Sequence, residues 1–359
     1  MMEKLVLKNF RRFRSLELEL NKINVIVGKN NVGKTTILEA FALAASAPYL
    51  TDSLGSSIFR SILLNREIPY YLEFVKLGAK KAEVTLGDKK VEIVKELENE
   101  ILRKKISDEK EKEKGLQVLD ALKYMISALV EEMPEVEHPE YSSTYALAKH
   151  GEQMVSHYVE VDMGSINIFR HINDSSSELK PSPVYFVTDH MFYSTKALAY
   201  IINNSIKNDY KYFTKVLTSF KKYMKEFDIE DVRVVENQVY LIIKGKPIPI
   251  SQIGSGAKRA LLKELISGNA EYIAMDTPEN DLHPGLLRSF LDQIVDLRAK
   301  LLISTHSLDT IEALVDVLEI KRAIDDMTVF RLDMNGVETI PGREVMIRLK
   351  DIGEDLRGL

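Results

Sequence analysis

Residues 28–35 read Gly28-Lys29-Asn30-Asn31-Val32-Gly33-Lys34-Thr35, a match to G-x-x-x-x-G-K-[ST] at every fixed position. Such a loop works only in one setting, between a buried strand and the first turn of a helix. Both flanks comply. Ile23-Asn24-Val25-Ile26-Val27 is an apolar run that predicts a buried strand, and Thr36 to Ala45 is rich in Ala and Leu with no breaker. Glycine permits a close backbone approach that a side chain would block. Successive N–H groups at a helix N-terminus then form a cradle for anionic oxygen, favoured by the helix dipole. The pattern predicts a seat for the phosphates of a nucleoside triphosphate, read here as Mg-ATP. Gly28, Asn30, Asn31, Val32, Gly33, Lys34, Thr35 and Thr36 are the candidate contacts. Lys34 is placed for the β- and γ-phosphates, and Thr35 offers a hydroxyl to Mg²⁺.

A site of this kind needs a carboxylate to hold the metal and a group to orient water. Ile273-Ala274-Met275-Asp276 is an apolar strand ending in Asp, so Asp276 is the candidate magnesium carboxylate. Glu279 follows three residues later and is a candidate catalytic group. Leu301-Leu302-Ile303 is a second such strand, and it ends at Ser304-Thr305-His306. A histidine at that position can sense or polarise a γ-phosphate, so His306 is the other candidate catalytic group. His171 and His190 lack such a setting and are read as structural.

The chain has 359 residues, of which 45% are hydrophobic and 29% charged, enough for a large core with a well-solvated surface. A net charge of −5 gives no global pull toward nucleic acid or anionic membrane. There are no cysteines, which excludes disulfides, thiolate metal sites and cysteine nucleophiles. The N-terminus has no signal-peptide core, and no run of about 18 apolar residues predicts a membrane span. A cytoplasmic protein is expected. Strands are expected over 3–27, in a hairpin over 82–94 turning at Gly87-Asp88, at 158–163, 166–170 and 184–187, and in a pair around Asn237. Helices are expected over 96–130 and 190–226, a loop from Ser251 to Lys258 is expected to open a further helix that reaches about Ser267, and 134–157 is expected to be irregular. Strands interleaved with helices predict an α/β fold with a parallel central sheet.

Taken in order, these segments resemble the ABC-type ATPase heads of the SMC/RecF class, and most of all their compact relatives, the OLD-like (overcoming lysogenisation defect) ATPases. Leu7-Lys8-Asn9-Phe10-Arg11-Arg12-Phe13 resembles the opening strand of that class. Ile253-Gly254-Ser255-Gly256-Ala257-Lys258-Arg259-Ala260-Leu261 is similar to the ABC signature. Asp276-Thr277-Pro278-Glu279-Asn280-Asp281-Leu282-His283-Pro284 is similar to its Walker B and D-loop segment, and Ser304-Thr305-His306-Ser307 to its switch histidine. The resemblance implies a P-loop NTPase head with a mixed central sheet, an antiparallel β subdomain and a helical lobe near 189–270. The head is assembled from 1–95 and 158–359, with a mainly helical insertion at 96–157. It also implies that Arg11 approaches the nucleotide. Two copies would pair head-to-tail, so that Ser255 and Gly256 of one meet the γ-phosphate held by the other.

Three departures stand out. Thr277 occupies the position of the class's usual general-base glutamate, Ala257 replaces the second signature glycine, and no glutamine lies between the loop and Gln117. The resemblance points to DNA maintenance or antiviral defence, with DNA or a separate effector or nuclease as partner. A non-hydrolysing, ATP-gated assembly switch is the alternative that Thr277 favours, and a transporter subunit is a further one. A fused nuclease domain is not expected after His306.

Overall fold

From Glu3 the chain makes an antiparallel hairpin, β1 (Glu3–Phe10) and β2 (Phe13–Leu20), and then enters β3 (Ile23–Gly28) and α1 (Lys34–Ala45). Next come β4 (Lys81–Leu86), β5 (Lys89–Val94), β6 (Ser142–His150), β7 (Gln153–Asp162), β8 (Asn167–Ile172) and β9 (Val184–Val187). A lobe follows with α2 (Thr195–Asn208), α3 (Tyr210–Tyr223), β10 (Ile229–Val235), β11 (Gln238–Ile243), β12 (Lys246–Pro249) and α4 (Ser255–Ile266). The last part is β13 (Tyr272–Asp276), α5 (Pro284–Ile294), β14 (Lys300–Ser304), α6 (Leu308–Ile320), β15 (Met327–Leu332), β16 (Val337–Pro341) and α7 (Gly342–Ile347). This computed structural model describes residues 3–47, 50, 58, 59, 62, 74–94, 142–150, 153–162, 167–172, 183–188, 195–208, 210–266, 270–280, 284–334 and 336–357.

The central sheet has the order β16-β15-β3-β14-β13-β9. Its five strands from β15 to β9 run parallel, and β16 is antiparallel at the edge. β3 lies in its middle, which is why Ile23–Gly28 reads as a continuous apolar run and is buried throughout. Ile23, Val25 and Val27 face one core, shared with α4, α5 and α6. Ile26 faces the other, shared with α1. The one polar side chain inside β3 is fully satisfied. Asn24 Nδ2 donates to the Asn21 and Leu301 carbonyls, and its Oδ1 accepts from the Asn21 amide.

A second sheet, ordered β2-β1-β4-β5-β6-β7-β8, is antiparallel at every pairing. Helix α1 touches β1, β4 and β5 of this sheet and β3, β9, β13 and β14 of the other. Every residue of α1 except Thr35 is therefore buried, and its sequence is apolar all round rather than striped. The mixed central sheet and the antiparallel sheet agree with the expected P-loop head.

One expectation is corrected. Residues 142–150 and 153–162 are paired strands with a bulge at Ala148/Lys149, neither irregular nor helical. They extend the antiparallel sheet through the β5–β6 ladder. The alternation in Thr144, Ala146, Ala148 and again in Tyr158, Glu160, Asp162 carries the strand period, and it outweighs the nearby prolines. The helix expected at 96–130 lies outside the described residues. Within 190–226 helices run over Thr195–Asn208 and Tyr210–Tyr223, and the helix expected after the Ser251–Lys258 loop begins earlier, at Ser255. Beyond Ser307, β15 joins β3 and supplies its second neighbour.

Phe41 lies at the centre of α1, fully buried and edge-on to Tyr272 at 5.8 Å. Phe41→Ala is expected to cost about 3–5 kcal/mol in chemical denaturation. Leu77→Ala, at a site 91% exposed, is expected to stay within about 0.5 kcal/mol of the parent.

Candidate functional site

β3, β13 and β14 are parallel and in register, so their C-terminal ends, at Gly28, Asp276 and Ser304, open on one edge of the sheet. Ligands of open α/β sheets sit outside that edge. The loop after β3 is tightly specified. Gly28 has φ +139°, and a Cβ there would lie 2.3 Å from the Leu332 carbonyl oxygen of β15. Gly33 has φ +107°, and a Cβ there would lie 2.7 Å from the Phe13 ring and 2.8 Å from Arg12 Cδ. Asn31 is also left-handed, at φ +62°, a conformation asparagine tolerates. Lys29, Asn30 and Asn31 are exposed at the tip, while Val32, Lys34 and Thr36 are buried at its root.

Lys34 Nζ donates to the carbonyls of Gly28 and Lys29, each at 2.7 Å. Burial pushes its pKa down to about 8, against the opposing pull of Asp276. Thr35 Oγ1 donates to Asp276 Oδ2 at 3.1 Å, and Ser304 Oγ donates to Asp276 Oδ1. Hydroxyl and carboxylate are thus already side by side. An oxygen-only pair suits Mg²⁺, which keeps most of its ligands from water and substrate phosphates. Thr35 and Asp276 would hold it.

Glu279 is anchored to the β14 end rather than left projecting. Its Oε1 accepts from Thr305 Oγ1 at 2.7 Å and from the His306 amide at 3.1 Å, and its Oε2 accepts from Thr310 Oγ1 at 3.3 Å. Partial burial, followed by the charge of Lys34, holds the His306 imidazole below its usual pKa, with Glu279 and Asp276 pulling the other way. Thr277 sits in the left-handed region at φ +45°, a strained conformation for a β-branched residue. Its amide donates to the Ser304 carbonyl, and its hydroxyl accepts from Asn280 Nδ2 at 3.0 Å.

The edge therefore brings together Gly28, Lys34, Thr35, Asp276, Glu279 and His306. Ser255 and Gly256 are elsewhere. They open α4, whose apolar residues join the core on the face of the central sheet opposite α1. Asp281, Leu282 and His283 lie outside the described residues.

Arg11 is a correction. It does not approach the loop. Its Nε pairs with Glu39 of α1 at 2.9 Å, both side chains are almost wholly buried, and its guanidinium lies 4.7 Å from the Phe74 ring centre. The arginine at the loop is the next one. Arg12 Nη1 donates to the Asn31 carbonyl, and its Nη2 faces Met334 Sδ at 3.6 Å. Arg11 and Arg12 form a two-residue turn between Phe10 and Phe13, and adjacent turn residues project to different sides. Sequence alone offers no way to choose between two consecutive arginines. Ser304 is the other residue that sequence reasoning misses. Its signal was available in the parallel register that sets it opposite Asp276.

Arg11→Ala is expected to cost about 3–5 kcal/mol of stability by removing the guanidinium that faces the buried Glu39 carboxylate. Arg12→Ala is expected to leave the melting temperature unchanged and to weaken nucleotide binding. For Lys34, a phosphate beside the ammonium raises a pKa that stands near 8 in the free protein. Nucleotide binding is therefore expected to take up a proton above about pH 8, and affinity is expected to fall as pH rises through that range. Calorimetry in two buffers of different ionisation enthalpy measures the uptake, and Lys34→Ala removes it.

Residues 1–162 match a family model described as "AAA ATPase domain", and residues 168–312 match one described as "AAA domain, putative AbiEii toxin, Type IV TA system". The chain is similar to a Helicobacter pylori protein named ATP/GTP phosphatase, 23% identical over 95% of each chain. It is also 52% identical over 67 residues to an uncharacterized protein, MJECL10, of Methanocaldococcus jannaschii, across 18% of this chain and 30% of that one. Among solved structures it is similar to an SMC head bound to the C-terminal winged-helix domain of ScpA, with a TM-score of 0.48 and 11% identity over 96% and 99% of the two chains. It is likewise similar to the recombination mediator RecF, with a TM-score of 0.39 and 12% identity over 94% and 98%. The phosphate loop in its strand–helix setting and the carboxylate and histidine on the same sheet edge agree with these matches, each of which covers less than half of the chain: residues 1–162 and 168–312 are similar to AAA-type ATPase domains.

Proposed function

We propose that the protein is an ATP-gated switch that pairs head-to-tail with a second copy around two Mg-ATP molecules and hydrolyses them slowly. The observation that carries this reading is the prearranged edge, where Thr35 is hydrogen-bonded to Asp276 while Glu279 holds the backbone of His306. In it Lys34 exchanges two loop carbonyls for the β- and γ-phosphates. Thr35 and Asp276 would hold the metal, which would supply charge neutralisation to the phosphates. Arg12 lies beside the loop and adds an exposed cation to that of Lys29. Glu279 and His306 act as one unit: the carboxylate orients the switch segment through the His306 amide, and the imidazole, its pKa held below the usual value by burial and Lys34, is the γ-phosphate sensor of this reading.

Slow turnover follows from Thr277. A threonine hydroxyl does not accept a proton from water at neutral pH, and Glu279 is already committed to three donors. Ser255 and Gly256 open α4, and on this reading that helix start meets a partner's γ-phosphate across a two-fold interface. On this reading, ATP binding assembles the pair and loss of the γ-phosphate releases it. The resemblance to the SMC/RecF class supports DNA maintenance, and the toxin–antitoxin wording of the second family match supports defence. In either case a separate effector would carry out the downstream chemistry. Purely ATP-gated assembly without turnover is the second reading, and Thr277 favours it.

Phosphate release from Mg-ATP, with particle mass followed in the same samples, tests both readings. Slow release that Lys34→Ala abolishes is expected, together with ATP-dependent dimers. Thr277→Glu is expected to raise turnover by at least about tenfold, within the span of general-base effects. If Thr277→Glu is no faster than the parent, the substitution is not what limits hydrolysis. ATP-dependent dimers with no release leave assembly alone as the function.

A further inference from the structure

The protein is acidic overall, with a net charge of −5, yet one surface runs strongly the other way. From Lys207 to Lys225 the sequence holds Lys207, Lys211, Lys215, Lys221, Lys222 and Lys225 against a single acidic residue, Asp209. Helix α3 arranges the central ones. Phe213, Val216 and Phe220 are its buried stripe. Lys211, Lys215, Thr218 and Lys222 follow at i, i+4, i+7 and i+11, which puts them together on the opposite face, and all four are exposed. The row spans about 16 Å at 1.5 Å per residue.

Nothing in the fold rewards this arrangement. Among the described residues, none of Lys207, Lys211, Lys215, Lys222 and Lys225 has an ion pair. This contrasts with Lys321 and Lys350, which are each bracketed by carboxylates. Like charges four apart destabilise a helix, and Lys211 in the first turn also opposes the helix dipole. A row of unneutralised ammonium groups kept at that cost fits a polyanion.

We propose that the lysine face of α3 is a docking surface for the phosphodiester backbone of duplex nucleic acid. Lysine is a compact point charge suited to phosphate, whereas base readout would call for guanidinium forks or amides, which this row lacks. No aromatic or apolar side chain lies within the row itself to stack unpaired bases or enter a bilayer, and the exposed Tyr210 stands one residue before it, about 100° away around the helix. The face is also tied to the helix that begins at Ser255. Tyr212, on the same helix, donates to the last-turn carbonyls of Glu264 and Leu265 at 2.9 and 2.6 Å. That fixes α3 to α4, whose other end carries Ser255 and Gly256. The inference takes up the DNA side of the function proposed above, but the docking itself stands on α3 alone and is measured first without nucleotide.

The test is fluorescence anisotropy of a labelled DNA duplex over a salt series. The triple substitution Lys211→Gln, Lys215→Gln, Lys222→Gln is expected to weaken binding at least about tenfold at 0.1 M salt. It is expected to reduce the slope of log K against log salt by about 2–3, near 0.9 per lost phosphate contact. Glutamine keeps the helix propensity, and circular dichroism and basal phosphate release are expected to match the parent, so loss of docking and failure of the ATPase reading remain separately visible. Lys8→Gln with Arg14→Gln, on the first hairpin, is expected to leave binding unchanged. Four results would overturn the proposal: a parent protein that does not bind duplex at low salt, a triple variant that binds like the parent, a loss confined to the hairpin variant, or competition by polyglutamate as effective as by unlabelled duplex, which would assign the face to an acidic protein.

Discussion

Helix α1 has no solvent face. It is held between an antiparallel sheet and a mixed one, and that confinement fixes where its first turn, and therefore the phosphate loop, must lie. A helix buried on all sides cannot rotate to expose a different edge. The loop at its N-terminus is thus as rigid as the two sheets, apart from the tip at Lys29–Asn31. Glu39, the buried acid of this helix, is tolerable because Arg11 reaches in from the first hairpin turn to meet it. The hairpin consequently serves two ends with two neighbouring residues. Arg11 secures the helix, and Arg12 borders the loop.

At the sheet edge, polar groups connect strand to strand. Asp276 of β13 accepts from Thr35 of α1 and from Ser304 of β14, and Glu279 reaches the segment that follows β14. A displacement at one of these groups is passed to the others through the hydrogen bonds they share. The strained Thr277 backbone lies at the middle of the connection, between Asp276 and Glu279. Strain of this kind persists only where surrounding contacts over-determine the conformation, and here the Ser304 carbonyl and Asn280 amide do so.

Much of this was legible in the sequence, and the limits have physical causes. The loop, the apolar strand runs and their acidic and histidine ends are local patterns, and they appear where their chemistry requires. The Arg11/Arg12 choice depends on the direction each residue takes in a two-residue turn, which local composition does not encode. Ser304 gains its role only through cross-strand register. The strands at 142–162 were obscured because alternating small and polar residues carry a weak signal, and their place in a sheet is set by partners more than fifty residues away at β5. Glu279 was recognisable as a site residue, but its engagement with three donors on a different element was not.

β3 carries the loop, yet both of its sheet neighbours come from the far end of the chain, β14 at Lys300–Ser304 and β15 at Met327–Leu332. Gly28 itself is shaped by the carbonyl of Leu332. During synthesis, some three hundred residues must emerge before the third strand finds a partner on either side, and such non-local closure is slow. Until then the apolar run Ile23–Val27 has an open edge on each flank. The segment that defines the protein's chemistry is among the first made and the last completed, so in the growing chain its protection falls to whatever covers exposed strands in the cell.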